Sequence, residues 1–282
     1  MKILVTGASG QLGYDVCREL TARGIENRGV SSKGLDITDR EAVFAFMGEY
    51  RPDALIHCAA YTAVDKAEDE QERCWAANVD GTFYLASACR ELDIPMLYIS
   101  TDYVFPGTGE ALWRTDDPMG PRNVYGMSKL GGELAVRSLL EKYFIVRISW
   151  VFGHNGGNFV KTMLRLAETR QEVTVVCDQI GSPTYTADLA PLLCDMIVTD
   201  RYGTYHATNG GICSWAEFAA EIFRLAGRDT KVIPIPTSEY PTRARRPLNS
   251  RMDLSSLDEA GFSRLPAWQD ALERFLTAEG QG

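Results

Sequence analysis

Apolar positions along this chain fall into two alternating patterns. Short, mainly apolar runs occur at residues 2–6 ("KILVT"), 53–60 ("DALIHCAA"), 95–101 ("PMLYIST") and 143–153 ("YFIVRISWVFG"), and they predict buried strands. Between them the period lengthens. Leu12, Val16 and Leu20 stand four apart and predict an amphipathic helix that stops near Gly24. "ENRGV" (26–30) reads as strand two. Thr38 to Glu41 fits a capping box ahead of "AVFAFMGEY", and residues 78–92 read as another helix. "NVYGMSK" (123–129) opens a further helical run after a loop rich in Pro and Gly. Strands alternating with helices of this length imply right-handed crossovers and an α/β fold with a doubly wound parallel sheet of Rossmann type.

The rhythm loosens after Gly153. "GHNGGN" is followed by one clear helix, mixed short strands and a Pro-rich stretch near 233–247. The reading is a dinucleotide-binding domain over 1–153 and a smaller mixed C-terminal lobe over 154–282 that binds substrate. That lobe returns a strand near 202–209 ("YGTYHATN") to the main sheet.

Glycines give the first chemical signal. Gly7, Gly10 and Gly13 sit between the first strand and the first helix. There they permit a tight turn and let backbone approach a pyrophosphate at a helix N-terminus. Open α/β sheets bind ligands at the carboxyl ends of their strands. Small Ala59 and Ala60 end one strand there, Thr101 ends a second and Trp150 a third. For Thr101 the plain alternative is a strand-end hydroxyl, and for Trp150 it is core packing. Tyr125 and Lys129 stand four apart and so share a helix face. A cation beside a phenol favours the phenolate and lowers its pKa, which suits a proton donor.

Strand two ends at Val30 with no acid, and Ser31, Ser32 and Lys33 follow. An acid there would bind a ribose 2′-hydroxyl and repel a 2′-phosphate, whereas hydroxyls and a lysine accept a phosphate. NADPH is therefore the expected cofactor, with NADH still usable. Arg28 is a further cation nearby, although strand alternation turns it toward the sheet.

Charge and cysteine content narrow the class. A net charge of −9 argues against nucleic acid and membrane surfaces as partners. No apolar run approaches a membrane span and no signal-peptide pattern opens the chain. Seven scattered cysteines and three histidines, without ligand spacing, indicate reduced thiols, a cytoplasmic protein and no metal site. Four arginines, Arg243, Arg245, Arg246 and Arg251, cluster in an otherwise acidic chain and suit a diphosphate.

Taken in order, the glycine motif, "NVDGT" (78–82), the strand-end Thr and the Tyr-x-x-x-Lys pair resemble the extended short-chain dehydrogenase/reductases. Within them, "AAYTAVDKAE", "STDYVFPGTG", "SWVFG", "NFVKTMLRLA", "DQIGSPTYTADLA" and "RPLNSRMD" resemble the dTDP-4-dehydrorhamnose reductase family over nearly the whole chain. The resemblance implies reduction of the C4 keto group of dTDP-4-dehydro-L-rhamnose. Tyr125 would be the proton donor. Lys129 would hold the nicotinamide ribose and lower the Tyr125 pKa, and Thr101 would bind the substrate oxygen. Gly10, Gln11 and Leu12 would meet the pyrophosphate, and Asp36 and Ile37 the adenine. Ala60, Tyr61, Thr62 and Ile99 would line the cofactor channel. Asp102, Trp150, Arg246 and Asn249 would contact the substrate. The partner expected is a small-molecule nucleotide sugar, and a homodimer is the assembly left open. Two rivals stand beside this reading. One is a nucleotide-sugar epimerase or dehydratase; a dehydratase usually adds an acidic pair after the Thr, and here Tyr103 follows Asp102. The other is a non-catalytic protein resembling the regulatory subunit of methionine adenosyltransferase, which tends to lack the "STD" and "SWVFG" forms.

Overall fold

A computed structural model of the chain describes residues 1–280. Its first half runs β1 (Lys2–Thr6), α1 (Gln11–Ala22), β2 (Glu26–Val30), α2 (Arg40–Tyr50) and β3 (Ala54–His57). Two short helices follow, α3 (Val64–Ala67) and α4 (Gln71–Trp75), then α5 (Gly81–Leu92), β4 (Met96–Thr101), α6 (Val124–Leu139) and β5 (Tyr143–Ile148). The second half runs β6 (Val151–Phe152), α7 (Phe159–Ala167), β7 (Glu172–Val176), β8 (Ile180–Gly181), β9 (Thr184–Tyr185), α8 (Thr186–Ile197) and β10 (Gly203–His206). It closes with β11 (Cys213–Ser214), α9 (Trp215–Leu225), β12 (Lys231–Ile235), β13 (Asn249–Ser250), α10 (Ser255–Glu259) and α11 (Trp268–Ala278).

Six strands form one parallel sheet in the order β10-β5-β4-β3-β1-β2. Strand order reverses between β1 and β3, which opens the crevice where such sheets bind ligands. The runs are mainly apolar because both faces of the sheet are covered. On one face Ile3, Val5 and Ile56 pack with α1 and α8. On the other Leu4, Leu55 and Tyr98 pack with α2, α5 and α6. A separate core in the C-terminal lobe gathers Phe152, Val160, Phe218, Trp268 and Phe275. The edge strand β10 and the cover helix α8 both come from beyond residue 153, so the sheet is finished by the second half of the chain.

Several element boundaries differ from the sequence reading. The run 53–60 pairs only over Ala54–His57. Asp39, not Thr38, caps α2 by accepting from the Ala42 amide, while Thr38 bonds back to Asp36. The helix expected over 78–92 begins as a wider turn over 76–80 before α5. The run 143–153 is two strands. Thr184 donates its hydroxyl to the Ser149 carbonyl and its amide to the Trp150 carbonyl, and this draws the chain out of the main sheet. Trp150 takes up the change of direction with a φ of 50°.

Candidate active site

The carboxyl ends of β1, β3, β4 and β5 open into a cleft of about 560 Å³. Its floor is the turn between β1 and α1. Gly7 has a φ of 71°, and an added Cβ would lie 2.6 Å from the Ala59 nitrogen. A Cβ at Gly13 would lie 2.3 Å from the Gly7 carbonyl oxygen. Both positions therefore need glycine, one for conformation and space, the other for close approach of helix to turn. Gly10 stands at the N-cap of α1 with no side-chain cap, so the first helical amides face the cleft. This cradle suits a pyrophosphate.

The cleft joins Gly7, Gly10, Gln11, Leu12 and Gly13 to Ser32, Ala59, Ala60, Thr62 and Ile99, and these to Thr101, Asp102, Tyr125, Lys129 and Trp150. Other residues named from sequence lie outside its lining. Ser31 accepts backbone hydrogen bonds from Gly34 and Leu35, and Lys33 is exposed in the same turn. The Asp36 carboxylate accepts from the Thr38 amide and hydroxyl, which hold it below its ordinary pKa. Ile37 is buried against Gly81. The Tyr61 hydroxyl donates to Glu70. Arg28 lies over the rings of Phe46 and Tyr50. Arg246 is hydrogen-bonded to Asp65 and to the Tyr103 hydroxyl, and Arg243 pairs with Asp69. The Asn249 amide is buried and donates to the Ala111 carbonyl.

Tyr125 enters from the first turn of α6. Asn123 caps that helix by accepting from the Gly126 amide, and Glu68 accepts from the Val124 amide. Lys129 follows one turn later, 2% exposed, with its ammonium 4.0 Å from the centre of the Tyr98 ring. Burial lowers Lys129 to about 7, against a pull upward from Glu133. Burial drives Tyr125 well above the ordinary tyrosine value, only partly offset by the nearby Thr101 hydroxyl. The sequence expectation is a Tyr125 pKa lowered by Lys129; burial of the phenol instead sets the direction, upward.

Thr101 donates to Asp102 Oδ1 at 3.0 Å and accepts from the Tyr103 amide at 3.3 Å. Tyr103 itself lines the cleft and packs edge-on against Tyr125, with ring centres 5.5 Å apart. Trp150 is stacked on Trp215 of the C-terminal lobe, with centres 3.8 Å apart. Positive φ on a bulky residue is strained, and such strain gathers at functional sites. Trp215 was not found from sequence. Its only local signal is the capping box of Ser214 and Glu217, which marks a helix start and not a site. Asn155 was also missed; its amide donates to the carbonyls of Ser9 and Gly10 and ties the second half of the chain to the glycine turn. Among the described residues, no cluster of three or more His, Cys, Asp or Glu side chains is placed to hold a metal ion.

Comparison with known proteins assigns the family. A family model described as RmlD substrate binding domain matches residues 1–280. A dTDP-4-dehydrorhamnose reductase of Streptomyces griseus is 44% identical, with 98% of this chain and 93% of the relative covered. The spore coat polysaccharide biosynthesis protein SpsK of Bacillus subtilis is 43% identical, with 98% and 96% covered. The crystal structure of a dTDP-4-dehydrorhamnose reductase from Bacillus anthracis in complex with NADP superposes with a TM-score of 0.96 at 44% identity, covering 98% of this chain and 99% of that one. The glycine turn, the half-buried Tyr125 with the buried Lys129 and these matches have one reading: the chain belongs to the RmlD substrate binding domain family, the family of these dTDP-4-dehydrorhamnose reductases.

Proposed function

We propose that the protein reduces the C4 keto group of dTDP-4-dehydro-L-rhamnose to give dTDP-L-rhamnose, with NADPH preferred over NADH. The observation that carries this reading is the convergence of Thr101, Tyr125 and Lys129 on the cleft that the glycine turn floors, in a chain 44% identical to an NADP-bound reductase. NADPH supplies the hydride when bound. Gly10, Gln11 and Leu12 hold its pyrophosphate, Ser31, Ser32 and Lys33 receive the 2′-phosphate, and Lys129 holds the ribose hydroxyls.

Tyr125 holds the proton that goes to the keto oxygen. Burial keeps its phenol protonated across the neutral range, as a general acid must be. Lys129, poised near neutrality when buried, supports the phenolate once the proton has left. Thr101 donates a hydrogen bond to the same keto oxygen and fixes its position. Trp150, backed by Trp215, offers an indole to the deoxysugar, and Arg246 belongs to the nucleotide side of the site, whereas the buried Asn249 amide is taken up by the Ala111 carbonyl. The rival epimerase, dehydratase and non-catalytic readings are not favoured: a single acid, Asp102, follows Thr101, and the Streptomyces griseus relative, matched over nearly its full length, is named a reductase.

No helix among the described residues is long and apolar enough to cross a membrane. The reading also has the enzyme work in the cytoplasm, without nucleic acid, as a homodimer, which sedimentation equilibrium would measure. The primary test follows the loss of NADPH absorbance with dTDP-4-dehydro-L-rhamnose. Product with the C4 hydroxyl of L-rhamnose is expected. A tenfold preference for NADPH in kcat/KM equals about 1.4 kcal/mol of transition-state binding. No turnover with this sugar, or better turnover with NADH, would overturn the corresponding part of the reading.

A further inference from the structure

The substrate reading asks the Thr101 hydroxyl to donate to a keto oxygen, and a hydroxyl has one proton to give. In the structure that proton points at Asp102 Oδ1. A keto oxygen only accepts, so Thr101 can serve it only if Asp102 no longer takes the proton. The surroundings of Asp102 show how that is arranged. The carboxyl is 2% exposed. Its second oxygen, Oδ2, accepts from the hydroxyl of Ser250, itself 2% exposed, on β13 of the other lobe. β13 is held in place by parallel pairing with β8, where Ser250 stands opposite Gly181. Gly181 has room for no side chain: a Cβ there would lie 2.9 Å from both the Ser250 Cβ and the Trp150 ring.

We propose that Ser250 is a positioning residue that seats the proton of Asp102 on Oδ1, the oxygen facing Thr101, and so frees the Thr101 hydroxyl to donate into the cleft. The inference rests on the reductase reading and names how its substrate-side donor is set. With Ser250 donating to Oδ2, the carboxyl proton has only Oδ1 to occupy. Thr101 then has both lone pairs filled, one by the Tyr103 amide and one by the Asp102 O–H, and its own proton faces the keto oxygen. With Asp102 ionised, Thr101 turns its proton to the carboxylate and offers the keto oxygen a lone pair, which repels it. Asp102 is suited to carry a proton in this role. Burial raises it to about 6, while the hydroxyls of Ser250 and Thr101 and the amide of Tyr103 pull it back. The titratable groups around it are Tyr125 on α6 and Tyr103 in the turn after β4, with Arg246 bonded to the Tyr103 hydroxyl on the outer side. Both phenols are pushed upward and stay neutral over the range in question.

The test is the pH profile of kcat/KM for the sugar at saturating NADPH in wild type, Ser250→Ala, Ser250→Thr and Asp102→Asn. Wild type should lose activity as pH rises through the Asp102 ionisation. Ser250→Ala should lower kcat about tenfold and move that limb up by about half to one pH unit, because a bond favouring the carboxylate is gone. Ser250→Thr should restore both. Asp102→Asn keeps an N–H toward Thr101 at every pH and should abolish the limb. A limb that survives Asp102→Asn, or equal effects of Ala and Thr at position 250, would overturn the proposal. So would a matching rise in the NADPH KM of Ser250→Ala, which would mark simple loosening of the lobes. If wild type does not turn over this sugar, the reductase reading fails by itself. The ¹³C shift of the Asp102 carboxyl then decides the proposal without turnover: a titration that Ser250→Ala moves upward supports it, and one left unmoved defeats it.

Discussion

On the proposed function, a single side chain decides whether this cleft does chemistry or only binds. Tyr125→Phe removes the proton while leaving the ring that packs against Tyr103. Turnover should fall by about 10²–10⁴-fold with NADPH affinity kept, as seen by comparing steady-state rates with cofactor titration by fluorescence. Wild-type turnover in Tyr125→Phe would remove it as the acid. Lys129 gives a second prediction, about stability. Its folded pKa is lowered to about 7 from 10.5, so between those values the unfolded chain binds more protons than the folded one. Stability of the ligand-free protein should therefore rise as pH goes from about 7 to 10.5, and this rise should be smaller in Lys129→Met by urea denaturation. Trp150→Ala and Trp215→Ala should each raise the sugar KM more than the NADPH KM; equal changes in both would return the stacked pair to a packing role. The side chains proposed as catalytic were legible in sequence because their signal is local. Glycine spacing, a four-residue Tyr–Lys interval and a hydroxyl at a strand end need no knowledge of the distant chain. Trp215, Ser250 and Asn155 were not, because each reaches the cleft only through tertiary approach of the second half.

Elements carry the next level of control. The loop over 153–158 leaves β6 and reaches the glycine turn, where Asn155 holds two carbonyls and Asn158 donates to the Gln11 side chain. Capping those carbonyls stiffens the turn whose amides are proposed to meet the pyrophosphate. Asn155→Ala should weaken NADPH binding about fivefold, in line with roughly 1 kcal/mol for a hydrogen bond, with little change in the sugar KM. A change confined to the sugar KM would sink this assignment. His154, next in the loop, is bonded to Glu279 at the end of α11 and to the Tyr185 hydroxyl. Sequence patterning located the central strands and long helices well, since burial on both sheet faces leaves an unmistakable apolar run. It failed at 143–153, where the mainly apolar pattern continues although the chain changes sheets. Periodicity registers burial, and both sides of that break are buried.

At the scale of the whole molecule, one ion pair lies at the heart of the sheet. Arg147 on β5 and Glu133 on α6 are both fully buried and joined by two hydrogen bonds of 2.8 Å, with Ser100 also donating to Glu133. Arg147 continues to the Thr115 carbonyl and so fixes the long connection between β4 and α6. Burial alone would raise Glu133, but Arg147 and Ser100 hold it below the ordinary carboxylate value of 4.5. Its contribution to stability is present above that value and is lost as pH falls below it. Arg147→Met should destabilise the fold by about 3–5 kcal/mol in urea titration, because it strands a buried carboxylate. A loss under about 1 kcal/mol would mean that Glu133 finds water or a proton instead.

The return of β10 and α8 to the main sheet bears on how such a protein can be cut, shuffled or inherited. A fragment ending at residue 153 would keep the glycine turn, Thr101, Tyr125 and Lys129, yet β5 would become an open edge with its backbone groups unpaired on that side, and one face of the sheet would keep α1 but lose α8. Exposed edges of that kind recruit other chains. The nucleotide-binding half is therefore not a transferable module, and gene fusion or recombination near residue 153 should yield aggregates in which the catalytic residues are all present and none is in place. Residues 154–282 supplied as a separate chain should restore solubility and NADPH binding together, as a split protein whose two pieces fold only in each other's company.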